Sequence, residues 1–207
     1  MEDTVPRVTG SFDQSHPHVL IRSAMLTVSK VDALERVQKL PAPWRPCFGD
    51  WNDPAWVTSA PKTVGEYFES MSSRPGILFD QDRPELDVHT AFLPDKDVAR
   101  ELQEVQSGRH WRPMFSCGRK NTGVAFHCHA ASWLCQLVGR KLWWIMPPNT
   151  PIENPGAPWQ YLQKPPEGSL FCNLDEGEAL YLPDDWLHAT WNLDDFVLSV
   201  GRLSVRE

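Results

Sequence analysis

Two histidines one residue apart, His127 and His129, are followed much later by a third, His188, in the context Trp-Leu-His. Side chains alternate across a strand, so His127 and His129 point to one face if their segment is extended. A histidine from a distant strand then completes a facial metal site. Neutral imidazole suits iron, zinc, copper or nickel, and three protein ligands leave positions open for substrate. The pattern predicts a catalytic metal site.

The spacing alone is weakly specific, because the chain has seven histidines in 207 residues. His16 and His18 form a second pair of this kind, with a proline between them and close to the N-terminus. We expect that pair to be exposed and not to bind metal. The evidence for the first pair therefore depends on the residues around it.

Two longer motifs surround the three histidines. GRKLWWIMPP follows the pair at 139–148, and GEALYLPDDWLHATWNL contains His188 at 177–193. In order and spacing they resemble the JmjC (cupin-8-like) family, whose pattern is His-x-Asp/Glu, G-R-K-x-W-x-x-x-P-P and G-D-x-L-Y-x-P-x-x-W-x-H-x-x-x-N-L. The likeness covers about 118–201 well and the first half loosely. It implies a double-stranded β-helix and an iron(II)- and 2-oxoglutarate-dependent oxygenase.

The second metal position departs from the usual family pattern. Most active members have Asp or Glu where this chain has His129, giving two histidines and one carboxylate. The G-x-x-F-H-x-H version resembles the JmjC domain-containing protein 8 subgroup. Three neutral ligands leave the full charge of a divalent metal in place, so anions such as 2-oxoglutarate bind without local repulsion. The change also puts the standard hydroxylase cycle in question.

The resemblance also implies residues for 2-oxoglutarate. Lys141 falls where relatives have the lysine that receives the distal carboxylate, and a buried lysine needs an anion because an unpaired buried charge is costly. A solvated basic pair with Arg140 at a strand end is the alternative. Arg202 is a second possible carboxylate ligand, as in the wider superfamily. Ser132 is the hydroxyl donor expected beside the metal.

Family position places Trp143 and Trp186 near the substrate pocket. Asp184 and Asp185 precede His188 in a turn, where we expect solvated side chains, although one could orient a ligating imidazole.

Residues 1–207 are expected to form one mainly β domain, a jelly roll with flanking N-terminal helices. The N-terminal strand and helices occupy 1–110 and the metal-binding β-helix core 111–205. Helices are predicted over 31–40, from 63 to about 72, and from a cap at 95 to 108. The first 15 residues are expected to have no regular secondary structure, and residues 41–61 are expected to form an ordered loop. Eight strands are predicted at 114–117, 124–129, 133–137, 141–145, 170–173, 179–182, 188–192 and 196–203.

Composition limits the classes of partner that the protein is expected to bind. A net charge of −7 argues against broad nucleic-acid binding and against an anionic membrane surface. No apolar run approaches the length of a membrane span, and no secretory leader is recognised.

The five cysteines form no C-x-x-C pair, which favours reduced thiols and an intracellular location. Cys128 and Cys135 are interpreted as buried apolar residues. The resemblance points instead to the lumen of the endoplasmic reticulum.

Three functions are compatible with the sequence. The first is an iron(II)/2-oxoglutarate oxygenase that hydroxylates a protein or peptide side chain. The second is a JmjC-like interaction module that binds metal weakly or not at all. The third is a three-histidine cupin enzyme that does not use 2-oxoglutarate. All three share one fold, so fold alone cannot choose among them. Sequence does not give the oligomeric state.

Overall fold

Two β-sheets face each other in the computed structural model, which describes residues 2–21, 28–46, 61–69, 76–80, 92, 100–152 and 156–205. The larger sheet has eight strands in the order β1-β2-β10-β7-β12-β5-β4-β3, and the smaller has four in the order β6-β11-β8-β9. The strands are β1 (Arg7–Val8), β2 (His18–Ile21), β3 (Trp44–Pro46), β4 (Gly76–Asp80), β5 (Trp111–Gly118), β6 (Gly123–His127), β7 (Ser132–Val138), β8 (Lys141–Met146), β9 (Leu170–Leu174), β10 (Glu178–Leu182), β11 (Leu187–Asn192) and β12 (Val197–Ser204). The predicted jelly-roll class is confirmed.

All eight predicted strands are present, as β5 to β12, with ends shifted by a few residues. The largest difference for the site concerns β6, which ends at His127 and leaves His129 in the following loop. The N-terminal strand expected within 1–110 corresponds to β2, and three strands were missed: β1, β3 and β4. All three join the larger sheet, so the N-terminal part of the chain contributes strands to it as well as helices. The division at residue 110 stays a prediction.

The described helices are α1 (Lys30–Val37), α2 (Val64–Glu69), α3 (Arg100–Gln106) and a 3₁₀ helix at Pro158–Leu162. The α-helices fall where periodicity predicted them; residues 70–72 and 95–99 of those predictions lie outside the described residues. Their buried side chains pack on the outer face of the larger sheet. None of the helices in the described ranges has the length and apolar content needed to cross a membrane.

Strand alternation divides the side chains into an interior and two outer layers. In β8, Trp143 and Ile145 belong to the cluster between the sheets, whereas Leu142, Trp144 and Met146 pack with the 3₁₀ helix outside the smaller sheet. This period of two is the geometry of a pleated strand covered on both faces. The site described below occupies the interior between the two sheets.

Candidate metal centre

The structure brings His127, His129 and His188 together at one end of the interior. One ring nitrogen from each lies within 4.8 Å of the other two. The ring of His188 is the central one, with its centroid 4.2 Å from that of His127 and 4.6 Å from that of His129. The three predicted ligands therefore form one cluster.

A β-bulge aims His127 inward. His188 pairs with His127 and Thr190 pairs with Val124, so one residue of β11 lies opposite two residues of β6. Such an extra residue re-aims the side chains that follow it. Val124 and His127 both line the interior pocket, while Phe126 packs in the outer cluster. The cluster thus depends on a bulge and a loop, and the simple alternation predicted for 124–129 is wrong.

Backbone carbonyls fix the tautomer of all three rings. Nδ1 of His127 lies 2.9 Å from the carbonyl oxygen of Ala125, Nδ1 of His129 lies 2.8 Å from that of Ala130, and Nδ1 of His188 lies 3.0 Å from that of Trp186. A carbonyl only accepts, so each Nδ1 carries the proton and donates it. In a neutral imidazole Nε2 then holds the lone pair, which is the nitrogen available to a metal.

Burial keeps the rings of His127 and His188 neutral. It lowers the pKa of His127 to about 4, with a further contribution from the neighbouring His129. It also lowers the pKa of His188 well below its ordinary value, reinforced by His127 and His129. Both rings are therefore deprotonated at neutral pH. Metal binding needs neutral imidazole, so no proton has to be displaced from them first.

The turn before His188 holds the loop that carries His129. The carboxylate of Asp184 accepts a hydrogen bond from the backbone N–H of Ala131 at 2.9 Å, and the N–H of Asp185 donates to the carbonyl of His129 at 2.9 Å. Asp184 also pairs with Arg109 at 2.9 Å. The turn was expected to be solvated, with an orienting role as the alternative. The contacts favour a positioning role, exerted through the backbone of the His129 loop.

Replacing Asp184 with alanine is expected to weaken Co(II) binding about 10-fold, because residues that orient ligands typically contribute 10- to 100-fold to metal affinity. Asp194→Ala is the matched control. Asp194 also accepts from a backbone N–H and pairs with an arginine, in both cases Arg140, but its contacts do not involve the histidines. Chelator competition measures both variants. Equal affinities for the two variants would contradict the positioning role.

A pocket extends from the histidines between the sheets. Most of its wall is apolar, and its polar atoms come from the histidines, three hydroxyl side chains and one lysine. Its lining residues are Phe79, Met114, Ser116, Val124, His127, His129, Ser132, Leu134, Lys141, Trp143, His188 and Thr190. An apolar cleft with a few convergent polar groups is the usual form of a small-molecule site.

Lys141 crosses this interior from the smaller sheet to the larger one. Its side chain is 1% exposed, and its Nζ donates to the hydroxyl of Ser116 at 2.8 Å. Burial lowers the pKa of Lys141 to about 7. Of the alternatives, a solvated pair with Arg140 does not occur: Arg140 is exposed and pairs with Asp194 instead.

The other predicted site residues divide into two groups. Ser132 and Trp143 line the pocket, and the Trp143 ring centroid lies 5.7 Å from that of His188. Trp186 is buried and supplies the carbonyl that holds His188, but it does not line the pocket. Arg202 lies directly opposite Trp133 on the neighbouring strand, so the two side chains point to the same face of the sheet. Trp133 packs on the outer face that the helices cover, and Arg202 does not line the pocket. The structure therefore favours Lys141 over Arg202.

Sequence reasoning missed two lining hydroxyls. Thr190 lies two residues after His188 on β11, so alternation along the strand could have found it. Ser116 lies on β5 in the opposite sheet, and no local pattern indicates that it reaches Lys141. Cys135 is buried as expected, but Cys128 is exposed, which corrects its interpretation as a buried residue. It lies in the loop between two inward-facing histidines and points outward.

Sequence comparison finds relatives that are named as JmjC proteins. No family model matches the chain. Over 91 residues it is 38% identical to human JmjC domain-containing protein 8, covering 40% of this chain and 34% of that protein. It is 27% identical over 106 residues to the Drosophila melanogaster 2-oxoglutarate and iron-dependent oxygenase JMJD4 homolog, covering 46% and 25%. The chain therefore spans about a third or less of the length of these relatives.

Solved structures share the fold. Ribosomal oxygenase YcfD from Escherichia coli, in complex with cobalt and 2-oxoglutarate, matches with a TM-score of 0.60 at 15% identity. The match covers 94% of this chain and 49% of that one. At this identity the similarity to the solved structure concerns the fold alone. Similarity in sequence is found with the JmjC relatives. The resemblance of this chain to the JmjC (cupin-8-like) family, in its three-histidine form, is confirmed.

Proposed function

We propose that the chain is an iron(II)- and 2-oxoglutarate-dependent oxygenase that hydroxylates a protein or peptide side chain. One observation carries the proposal: a three-histidine cluster and a buried lysine line the same pocket. A divalent metal binds to neutral nitrogen ligands, which the histidines provide. A dicarboxylate binds to a cation, which Lys141 provides. The names of the JmjC relatives and of the YcfD complex support the same pair of cofactors.

The residues present fit both groups. Each of the three histidines has its Nδ1 on a carbonyl, which leaves Nε2 for a metal, and one ring nitrogen from each lies within 4.8 Å of the other two. Lys141 is a buried cation, and no acidic side chain is among the described residues that line the pocket. A buried cation of this kind calls for an anionic ligand.

In this mechanism His127, His129 and His188 would hold iron(II), and Lys141 would receive the distal carboxylate of 2-oxoglutarate. When bound, the two cofactors would supply the oxidising chemistry: dioxygen would convert 2-oxoglutarate to succinate and carbon dioxide, and one of its oxygen atoms would hydroxylate a C–H bond of the substrate. Ser116 orients the Lys141 ammonium by accepting one of its hydrogen bonds. The apolar wall, including Trp143 and Leu134, excludes water from the site.

The net charge of the chain and the names of its structural neighbours both bear on the class of substrate. A net charge of −7 disfavours polyanionic nucleic acid. The structural neighbours are named ribosomal oxygenases, a name that indicates a macromolecular target. A protein or peptide side chain is the substrate that agrees with both observations.

Calorimetry with 2-oxoglutarate tests the proposal directly. The Mn(II)-loaded protein is expected to bind it in the micromolar range, and the metal-free protein and a His127→Ala variant are expected to bind far more weakly. Fe(II)-dependent release of succinate in the presence of a peptide library then tests turnover. Tight metal binding with no effect of 2-oxoglutarate would indicate the three-histidine cupin enzyme. No metal binding would leave the interaction module.

A further inference from the structure

Trp143 has a buried polar atom that no described residue satisfies. Its ring lines the pocket and the residue is 4% exposed, and its indole Nε1 has no hydrogen-bond partner among the described residues. An indole N–H can only donate, and buried donors in proteins nearly always have an acceptor. Trp144 shares this property, but it lies in the cluster outside the smaller sheet. A ligand in the pocket can therefore give Trp143 the acceptor that the described part of the protein does not supply.

Thr190 offers a second donor beside Trp143. Its hydroxyl oxygen accepts the backbone N–H of Val124 at 3.2 Å, and within the described ranges no group accepts its own proton. A threonine hydroxyl has one proton to donate as well as its lone pairs. Thr190 lies directly opposite Trp143 in the pairing of β11 with β8, and both residues line the pocket. The two donors therefore lie side by side on the wall formed by the smaller sheet.

The two donors lie between the histidine cluster and Lys141. In the same strand pairing His188 is opposite Ile145, and Asn192 is opposite Lys141, so each of these pairs is two residues away from Thr190. Two residues of a strand span about 7 Å. A dicarboxylate that reaches from the histidines to Lys141 therefore passes both donors.

We propose that Trp143 and Thr190 donate hydrogen bonds to the distal carboxylate of 2-oxoglutarate and so determine the preference of the pocket for a carboxylate at this end. This inference rests on the function proposed above. An ionised carboxylate accepts about four hydrogen bonds. The Lys141 ammonium has three protons and donates one of them to Ser116, so it leaves part of that capacity to other donors. Such a site rejects a ligand that lacks the acceptor, because the donors then stay buried without a partner.

Two ligands that differ only at the distal end test the donor pair. 2-Oxopentanoate has a methyl group where 2-oxoglutarate has its distal carboxylate, and calorimetry on the Mn(II)-loaded protein measures both affinities. Thr190→Val and Trp143→Phe should each bind 2-oxoglutarate about 10-fold more weakly than wild type, as loss of a hydrogen bond to a charged group predicts, and 2-oxopentanoate within about 2-fold of wild type. Thr190→Ser keeps the hydroxyl and should keep the wild-type affinity for both ligands.

Trp144→Phe is the matched control, because it removes an unpartnered indole N–H from the same strand but outside the pocket. It should leave both affinities unchanged. Nuclear magnetic resonance of the nitrogen-labelled, Zn(II)-loaded protein gives a second readout. The indole N–H resonance of Trp143, identified by its loss in Trp143→Phe, should move downfield on adding 2-oxoglutarate and should not do so with 2-oxopentanoate.

The outcomes separate this inference from the proposed function. Absence of 2-oxoglutarate binding to the metal-loaded wild type would overturn the oxygenase proposal and the donor pair with it. Normal binding by wild type with unchanged affinity in Thr190→Val and Trp143→Phe would overturn the donor pair alone. Equal losses for the two ligands would also overturn it, since they would show a general effect on the shape of the pocket. In wild type, which needs no substitution to fold, the absence of any indole resonance that responds to 2-oxoglutarate would reject Trp143 as a donor.

Discussion

Lys141→Met is expected to reduce the affinity of the metal-loaded protein for 2-oxoglutarate by at least about 100-fold. Removing one partner of a buried ion pair typically costs about 3–5 kcal/mol, because the remaining charge is left without compensation. Here the remaining charge is the distal carboxylate, which would face Met114, Leu134 and the Ser116 hydroxyl. Calorimetry on the Mn(II)-loaded protein measures the change.

Arg140→Met is the matched control, since it removes the adjacent cation of the same motif. Arg140 is exposed and pairs with Asp194 outside the pocket, so its loss should leave 2-oxoglutarate affinity within about 2-fold. Similar losses in the two variants would show that general electrostatic attraction is responsible. An unchanged affinity in Lys141→Met would reject Lys141 as the carboxylate ligand.

The same variant has the opposite effect on the ligand-free protein. Burial lowers the pKa of Lys141 to about 7, whereas an unfolded chain has a lysine pKa near 10.4. The unfolded state therefore holds more protons between these values, and stability rises with pH across that window. At and below pH 7 the charged lysine costs on the order of 4 kcal/mol, less about 1 kcal/mol for its hydrogen bond.

Urea unfolding of ligand-free Lys141→Met should therefore give a higher midpoint than wild type at pH 7, with the difference fading toward pH 10. The thiol of Cys117 also lies beside Lys141, and burial raises its pKa, which favours its neutral form in this window. A variant that is less stable than wild type at pH 7 would contradict the buried-cation account. Together the two effects describe a residue retained for binding at the expense of stability.

The three candidate metal ligands could be predicted from sequence, but the way they converge could not. A His-x-His pair and a third histidine inside long motifs identify the residues, because their types and order carry the chemistry. The convergence depends on one extra residue in β6 and on a loop tied down by Asp184 and Asp185. Bulges and turn-to-loop hydrogen bonds arise from pairing between distant segments, which no local pattern of β6 encodes.

The proposed site for the dicarboxylate was likewise predictable in its residues but not in its geometry. The motif and strand alternation indicated an inward Lys141, yet its partner Ser116 comes from the opposite sheet. Arg202 was a reasonable rival by spacing, but its register opposite Trp133 places it on the helix-covered face. Choosing between Lys141 and Arg202 required the face of each strand in the sandwich, which is a tertiary property.

The N-terminal region was the least predictable part of the fold. Strands β1 and β3 have two and three residues and lie at the two edges of the larger sheet, and β1 pairs in parallel with β2. Short edge segments have too few residues for a period of two to be recognised, and much of their stability comes from packing on a sheet that already exists. Val5 and Val19 nevertheless bury their side chains in the interior cluster, so this segment contributes to the core that surrounds the pocket.

His188→Ala is expected to abolish metal-dependent stabilisation of the protein. His188 is 3% exposed, and its ring is central to the cluster. Its removal leaves two ligands, of which one is on a loop, and two imidazoles hold a divalent ion far more weakly than three. For wild type, a metal concentration about 100-fold above the dissociation constant adds about 2.7 kcal/mol to the free energy of unfolding.

Thermal unfolding with and without Co(II) measures this difference. Wild type should show a clear rise in melting temperature on adding cobalt, reversed by a chelator, and His188→Ala should show none. His16→Ala serves as the control, because His16 is an exposed histidine paired with Asp13 and does not belong to the cluster. It should retain the full shift. A cobalt-induced rise of wild-type size in His188→Ala would mean that the metal binds elsewhere, and the proposed site and its chemistry would both have to be abandoned.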